Sequence, residues 1–347
     1  MIKPLTNLPN YGTKTDEITI YAGPCSVESE EQFFEVAECI ADLGLSWIRG
    51  GAFKPRTNPH SFQGLGEEGL KIMKAGGDKY GLKTLTEVMD SAHTELVHSY
   101  VDGLQVGARN MQNFSLLKKI GEVTKDSHKM VLLKRGLAGT ISEWLSATEY
   151  ITMNGNDNVV LCERGLRTFE TTTRFTLDIS AVPVIHKQSL FPICIDVSHP
   201  AGVRDLVPSL SYAAVAAGAD SIMIEVHPNP SEALSDGPQQ LTPLNSANWS
   251  SSCARSLQSS ARRLCRDFDL PIEIVLDAAK AWSIHPGPLF RLRISICRSK
   301  SYSTLRKPGA SILAPCFEYG AHRSALDSKA GPLWTPQAFS LTYYANL

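Results

Sequence analysis

The chain has 347 residues, 43% of them apolar, with 34 Lys and Arg against 35 Asp and Glu for a formal net charge of −1. A near-neutral balance without a basic stripe argues against a nucleic-acid partner, the lack of any run of about 18 apolar residues argues against a membrane span, and eight cysteines without CxxC spacing argue against a disulfide framework. The opening MIKPLTNLPN has no apolar stretch of the signal-peptide kind, which predicts a cytoplasmic protein with reduced thiols. In chain order, residues 1–17 read as a short extension, with no room for a leading regulatory domain. The first apolar run is ITIYA (18–22), followed by EEQFFEVAECIADLG, an amphipathic helical pattern with Ser29 as its N-cap. SWIRG (46–50), KTLTE (83–87) and GLQVG (103–107) come next, then the helical pattern NFSLLKKIGEV. MVLLK (130–134), NVVLC (158–162) and PICID (192–196) lead to the helical DLVPSLSYAAVAAG, and DSIMIEV (220–226) closes the series. Continuously apolar strands alternating with helices predict a parallel sheet, and eight such units fit a (β/α)8 TIM barrel over residues 18–243 better than an open doubly wound sheet. No GxGxxG or GxxxxGK follows a strand, which weakens nucleotide readings.

In a (β/α)8 barrel the reactive groups gather where strands finish. Those positions hold Cys25; Arg49 with Lys54 and Arg56; Glu87; Arg109; Lys134; Glu163 with Arg164; Asp196 with His199; and Glu225 with His227, while Asp236 follows on the eighth loop. Six cations (Arg49, Lys54, Arg56, Arg109, Lys134 and Arg164) on one rim repel each other unless anions occupy it, and the arginine fork suits phosphate and carboxylate. The alternative is that each cation pairs with a rim carboxylate. Cys25, His199, Glu225 and Asp236 offer one sulfur, one nitrogen and two oxygen donors, a set suited to Mn, Fe, Co or Zn rather than Mg or Ca. Taken singly, Cys25 also reads as a buried small hydrophobe, His199 as a loop cap before Pro200, and Asp236 as a turn residue before Gly237.

The segments AGPCSVES, RGGAFKPRT, SFQGLGEEGL, QVGARNMQNF, LLKRG, CERGLRTFE, DISAVP, DVSHPAG, MIEVHPNP and ALSDGPQQL, in this order between about residue 16 and Pro243, closely resemble 3-deoxy-D-arabino-heptulosonate-7-phosphate (DAHP) synthase of the shikimate pathway, in its small type I subtype. The resemblance implies a metal-dependent condensation of phosphoenolpyruvate with erythrose 4-phosphate that releases phosphate. It implies that Cys25, His199, Glu225 and Asp236 hold a divalent ion, and that Arg49, Lys54, Arg109 beside Ala108, Lys134 and Arg164 grip phosphoenolpyruvate. Arg56 and Thr57 of KPRT would seat the aldose phosphate, and Glu87, Lys134 and Lys54 would carry the catalytic proton handling. A homo-oligomer, dimer or tetramer, is the family habit. The octulosonate-phosphate synthase that uses arabinose 5-phosphate shares the barrel but carries KANRS-like residues where this chain has KPRT, so the four-carbon aldose is favoured. Two small departures from the family pattern, His60 where Tyr is common and Ile193–Cys194 in a strand interior, leave the implied reaction unchanged.

Composition changes after the barrel. Residues 1–244 carry 21 basic against 29 acidic side chains, whereas 245–347 carry 13 against 6 and include 16 serines. The covering eighth helix is expected after SDGPQQLTP, yet LNSANWSSSCARSLQSSARRLC has no convincing apolar stripe. A codon choice for residues from Leu244 reads EFGQLVEQLRAV in another frame, an amphipathic helix, which points to a reading-frame shift and to an atypical, frameshifted or disordered tail over 244–347. A C-terminal module with a regulatory or assembly role is the alternative, and a catalytically inactive barrel that binds sugar phosphates is the rival to the synthase.

Overall fold

The computed structural model describes residues 18–56 and 58–243, together with the strands Ile294–Ser295 and Ser340–Leu341. The expectations for residues 1–17, for Thr57 and for the tail from residue 244, including the frame shift, lie outside the described residues. Eight parallel strands close into a barrel in sequence order: β1 (Thr19–Gly23), β2 (Trp47–Arg49), β3 (Lys83–Val88), β4 (Gly103–Val106), β5 (Met130–Lys134), β6 (Val159–Glu163), β7 (Ile193–Asp196) and β8 (Ser221–Glu225). Closure comes from β1 against β8, with Ile20 opposite Ile222 and Gly23 opposite Glu225. Each expected run becomes one strand, with ends within one residue of those expected, because a strand covered by helices on one face and barrel interior on the other must be apolar throughout. A second unit, Ile272–Leu347, holds the antiparallel pair of two-residue strands, with Ser340 opposite Ser295.

Helices α1 (Glu30–Asp42), α2 (Glu67–Tyr80), α3 (Thr94–Tyr100), α4 (Phe114–Thr124), α5 (Ile141–Thr152), α6 (Ala181–Gln188), the single turn α7 (Ser198–Ala201) and α8 (Val207–Ala216) follow β1 to β7. Ser29 accepts from the Gln32 amide and so caps α1 as expected, a bond of the kind that contributes about 1 kcal/mol. Thr140 and Glu143 form a reciprocal capping box on α5. The apolar stripe of α1 buries Phe33, Val36, Ala37 and Ile40. DLVPSLSYAAVAAG becomes a 3-10 turn, Arg204–Leu206, leading into α8, with Pro208 in its first turn where the missing N–H costs nothing.

Inside the barrel, Tyr21, Leu85, Met130, Leu132, Val160, Cys162, Cys194 and Met223 pack into one buried cluster, and the Tyr21 hydroxyl donates to Met130 Sδ at 3.5 Å. This plug closes the interior below the strand ends. Apart from the exposed Lys83 at the start of β3, charge on the strands therefore appears where β2, β3, β5, β6, β7 and β8 finish, at Arg49, Glu87, Lys134, Glu163, Asp196 and Glu225.

Candidate functional site

Three donors, Cys25, Glu225 and Asp236, meet where β1 and β8 adjoin, and His199 from the β7 side stands beside the two carboxylates. Cys25 follows β1 by two residues, and its amide donates to Gln240 Oε1 at 3.0 Å. Glu225 ends β8, His199 is the second residue of α7, and Asp236 sits in a left-handed turn (φ 49°), a conformation that aspartate tolerates better than most residues. Sulfur and carboxylate oxygens of Cys25, Glu225 and Asp236 lie within 4.8 Å of one another. Cys25 Sγ is 3.4 Å from Asp236 Oδ2, and His199 Nε2 is 3.6 Å from Glu225 Oε1 and 3.8 Å from Asp236 Oδ2. The other imidazole nitrogen, Nδ1, is 2.7 Å from Asp196 Oδ2, a close charge contact rather than a hydrogen bond, while the His199 backbone amide donates to Asp196 Oδ1 at 3.1 Å.

Burial pushes the Cys25 thiol up to about 12, with Glu225 adding to the rise and Lys54 opposing it. Burial likewise lowers the His199 imidazole against the pull of Asp196 and Glu225, which favours the neutral, ligating form. Lys54, Arg49 and Arg174 touch the thiol and the two carboxylates, yet the thiol is still raised, and a divalent ion bound among them is the group that would make the thiolate stable. The donor set thus fits a cation of borderline softness.

Opposite these donors a cavity of about 330 Å³ opens, lined by Lys54, Arg56, Ala108, Arg109, Lys134 and Arg164 among others. Lys54 folds back over β1, donating from Nζ to Cys25 O at 2.9 Å and Cys25 Sγ at 3.0 Å. Gly51 makes this possible, since a Cβ there would come within 2.6 Å of Lys54 Cδ and 2.8 Å of Cys25 O. Lys134 Nζ is anchored on Asp196 Oδ2 at 2.7 Å. Arg164 lies with its guanidinium carbon 4.2 Å above the Phe175 ring, and its buried Nη1 has no hydrogen-bond partner. Among the described residues Arg56 and Arg109 form no ion pair. Glu87 lines the cavity too and accepts from Gln105 Nε2 at 3.3 Å.

Arg49 departs from the other cations. It is 4% exposed, does not line the cavity, and donates from Nη1 to Pro24 O (2.7 Å), Cys25 O (3.3 Å) and Glu225 Oε1 (3.2 Å). The pairing expected of individual cations thus holds for Arg49 and for Lys134, but not for Arg56, Arg109 or Arg164. Three participants escaped the sequence reading. Asp196 was visible as a strand end but had no assigned task, and it ties Lys134 to His199. Arg174 and Gln239, both in contact with the donor cluster, stand away from strand ends, and Gln239 carries no charge to draw attention.

Residues 11–258 match the family model of the DAHP synthetase I family. The chain belongs to that family. It is 54% identical over 223 residues to the phospho-2-dehydro-3-deoxyheptonate aldolase of Thermotoga maritima, a match covering 64% of this chain and 65% of that protein. To the 2-dehydro-3-deoxyphosphooctonate aldolase of Caulobacter vibrioides it is 30% identical over 258 residues, covering 69% of this chain and 88% of that one. Among solved structures, the crystal structure of the Thermotoga maritima DAHP synthase superposes with a TM-score of 0.64 at 48% identity, covering 72% of this chain and 70% of that one. A truncated form of 3-deoxy-D-arabino-heptulosonate 7-phosphate synthase from the same organism gives 0.63 at 47%, covering 72% and 88%. The chain spans just under two thirds of the full length of the first of these relatives. Among the described residues no helix is long and apolar enough to cross a membrane.

Proposed function

We propose that the protein is a DAHP synthase, condensing phosphoenolpyruvate with erythrose 4-phosphate and releasing phosphate, the first step of the shikimate pathway. The observation that carries this is the cavity itself: Arg56, Arg109 and Arg164, which form no ion pair among the described residues, line one space with His199 and Asp236 of the donor set, and Cys25 and Glu225 lie directly behind Asp236. Anionic substrates are what such an unpaired wall fits.

Arg109, Arg164, Lys54 and Lys134 would hold the phosphate and carboxylate of phosphoenolpyruvate, with Ala108 against it, and Arg49 would act from behind by neutralising Glu225. Arg56, with Thr57 beyond the described residues, would seat the aldose phosphate. Cancelling the charge of two anions lets C3 of phosphoenolpyruvate approach the aldehyde carbon, and orientation alone is a large part of the barrier. Cys25, His199, Glu225 and Asp236 would hold a divalent ion (Mn, Fe, Co or Zn), which when bound supplies a Lewis acid for the aldehyde oxygen. Water adds at C2 and phosphate leaves by C–O cleavage; Lys134, anchored on Asp196, and Glu87 are the groups in position to give and take its protons. A thiol ligand has to stay reduced, which accords with a cytoplasmic setting. A homo-oligomer of two or four subunits belongs to the same proposal.

Erythrose 4-phosphate is preferred over arabinose 5-phosphate on two grounds: the KPRT segment, whose Lys54, Pro55 and Arg56 line the cavity, and 54% identity to a heptonate aldolase against 30% to octonate aldolases. The deciding assay follows phosphoenolpyruvate consumption with each aldose, with and without chelator. Turnover with erythrose 4-phosphate that chelator abolishes and cation restores is expected. Turnover with arabinose 5-phosphate instead would reassign the aldose, and none with either in metal-replete protein would leave a sugar-phosphate-binding barrel.

A further inference from the structure

Arg174 lies on the connection between β6 and α6 and lines the cavity, yet its contacts are with the donor side. Its Nη1 donates to Gln239 Oε1 at 2.7 Å and lies 3.2 Å from Asp236 Oδ1. Gln239, 1% exposed, donates in turn from Nε2 to Glu225 Oε2 at 2.7 Å. An amide that accepts at one end must donate at the other, so Arg174 sets the direction in which Gln239 points its N–H. One guanidinium nitrogen thus takes up an oxygen of Asp236 directly and, through Gln239, an oxygen of Glu225.

The remaining oxygens are the ones turned to the cluster. Asp236 Oδ2 faces Cys25 Sγ at 3.4 Å and His199 Nε2 at 3.8 Å, and Glu225 Oε1, which also accepts from Arg49 Nη1 at 3.2 Å, faces His199 Nε2 at 3.6 Å. Arg174 is itself held from a third element. Gly202, at φ 71° just after α7, lies so close that a Cβ there would come within 2.7 Å of Arg174 Cβ, and the Arg174 guanidinium carbon is 5.8 Å from the Phe175 ring.

We infer that Arg174, acting through Gln239, is a positioning residue that holds one oxygen of both Asp236 and Glu225 away from the cluster, so that each carboxylate offers a single oxygen to a divalent cation. This rests on the metal part of the function proposed above. Groups that orient the ligands of a metal are typically worth 10- to 100-fold in affinity.

Cobalt(II) binding, followed by the thiolate-to-cobalt absorption band, reads the cluster without turnover. Arg174→Ala and Gln239→Leu are each expected to weaken Co²⁺ binding roughly 10- to 100-fold. The double variant should be about as weak as the weaker single one, because a chain of two groups acting as one unit gives non-additive losses. The Arg174 side chain is 39% exposed, so its truncation leaves the core packing in place. Unchanged affinity in Arg174→Ala, or losses that multiply in the double variant, overturns the inference while Co²⁺ binding by the unsubstituted protein keeps the metal reading standing. Failure of the unsubstituted protein to bind Co²⁺ overturns both.

Discussion

The two walls of the barrel mouth are finished differently. On the β1, β7 and β8 side the donors already touch protein groups of opposite charge or polarity: Cys25 has Lys54 and Asp236, Glu225 has Arg49 and Gln239, Asp236 has Arg174, and His199 Nδ1, though without a hydrogen bond, lies 2.7 Å from the Asp196 carboxylate. On the β4 to β6 side, with the loop after β2, Arg164 Nη1 is buried without a partner and Arg56 and Arg109 have no ion pair among the described residues. A buried donor left unsatisfied costs about 1–3 kcal/mol, more when charged, so the cation wall is stable only at the expense of something that an anion restores. The donor wall is held rigid before anything binds; the cation wall is completed by what it binds.

Removing a donor breaks that contrast most severely. Cys25→Ala deletes a ligand outright, and since outer partners alone are worth roughly 10- to 100-fold, the loss in turnover should exceed about 100-fold, with excess Co²⁺ failing to produce a thiolate band. Activity within tenfold of the unsubstituted protein would mean that the donor wall does not work as one cluster. Asp196→Asn comes next, because Asp196 Oδ2 touches both walls, Lys134 Nζ at 2.7 Å and His199 Nδ1 at 2.7 Å. Roughly 10- to 100-fold lower Co²⁺ affinity is expected together with a raised KM for phosphoenolpyruvate. A change in one quantity without the other would show the walls to be independent.

Most of the barrel was legible because the physics that makes it is local and repetitive. A strand covered on both faces must read as an unbroken apolar run, and MVLLK and PICID became β5 and β7 with little trimming. The same regularity located the donors, since a barrel offers its chemistry where the runs stop. It could not say which way a long side chain turns. Arg49 ends β2 as expected, but its guanidinium folds toward Glu225 and the β1 backbone, a choice made by a carboxylate 176 residues away in sequence. Arg174 and Gln239 lie in loops after β6 and β8 that follow no period, and only the closed barrel brings them to one carboxylate pair.

The cation wall can be probed singly. Arg164→Ala removes the buried, unpartnered guanidinium, and a hydrogen bond to a charged group is worth about 1.5–3 kcal/mol, so KM for phosphoenolpyruvate should rise roughly 10- to 150-fold with a smaller change in kcat. Because Arg164 Nη1 has no hydrogen-bond partner to orphan, and relief of its buried charge offsets the lost stacking on Phe175, denaturation midpoints should change little. A large loss of stability with KM unchanged would show that Arg164 is structural and that the anion lies elsewhere.

Arg135, next to Lys134, gives the opposite case and the smallest effect. Its Nη1 is 3.0 Å from Glu163 Oε2 and 2.7 Å from Asp178 Oδ2, so it is a cation completed by protein rather than by ligand. Burial would raise the Asp178 carboxyl, but hydrogen bonding from Ser180 and the nearby Arg135 charge outweigh it and hold it below its usual range. A carboxylate depressed in the folded state stabilises fully above its unfolded value of about 3.9, and that contribution is lost as pH falls through the lowered folded value. Asp178→Asn should therefore lower stability at neutral pH by no more than about 1 kcal/mol. Urea midpoints of the two proteins should converge as pH drops from about 5 toward about 3, with KM for phosphoenolpyruvate unchanged at neutral pH. A stability gap that persists undiminished into acid, or a KM that moves with it, would place Arg135 among the cations that wait for substrate and erase the distinction between a wall completed by the protein and one completed by its ligand.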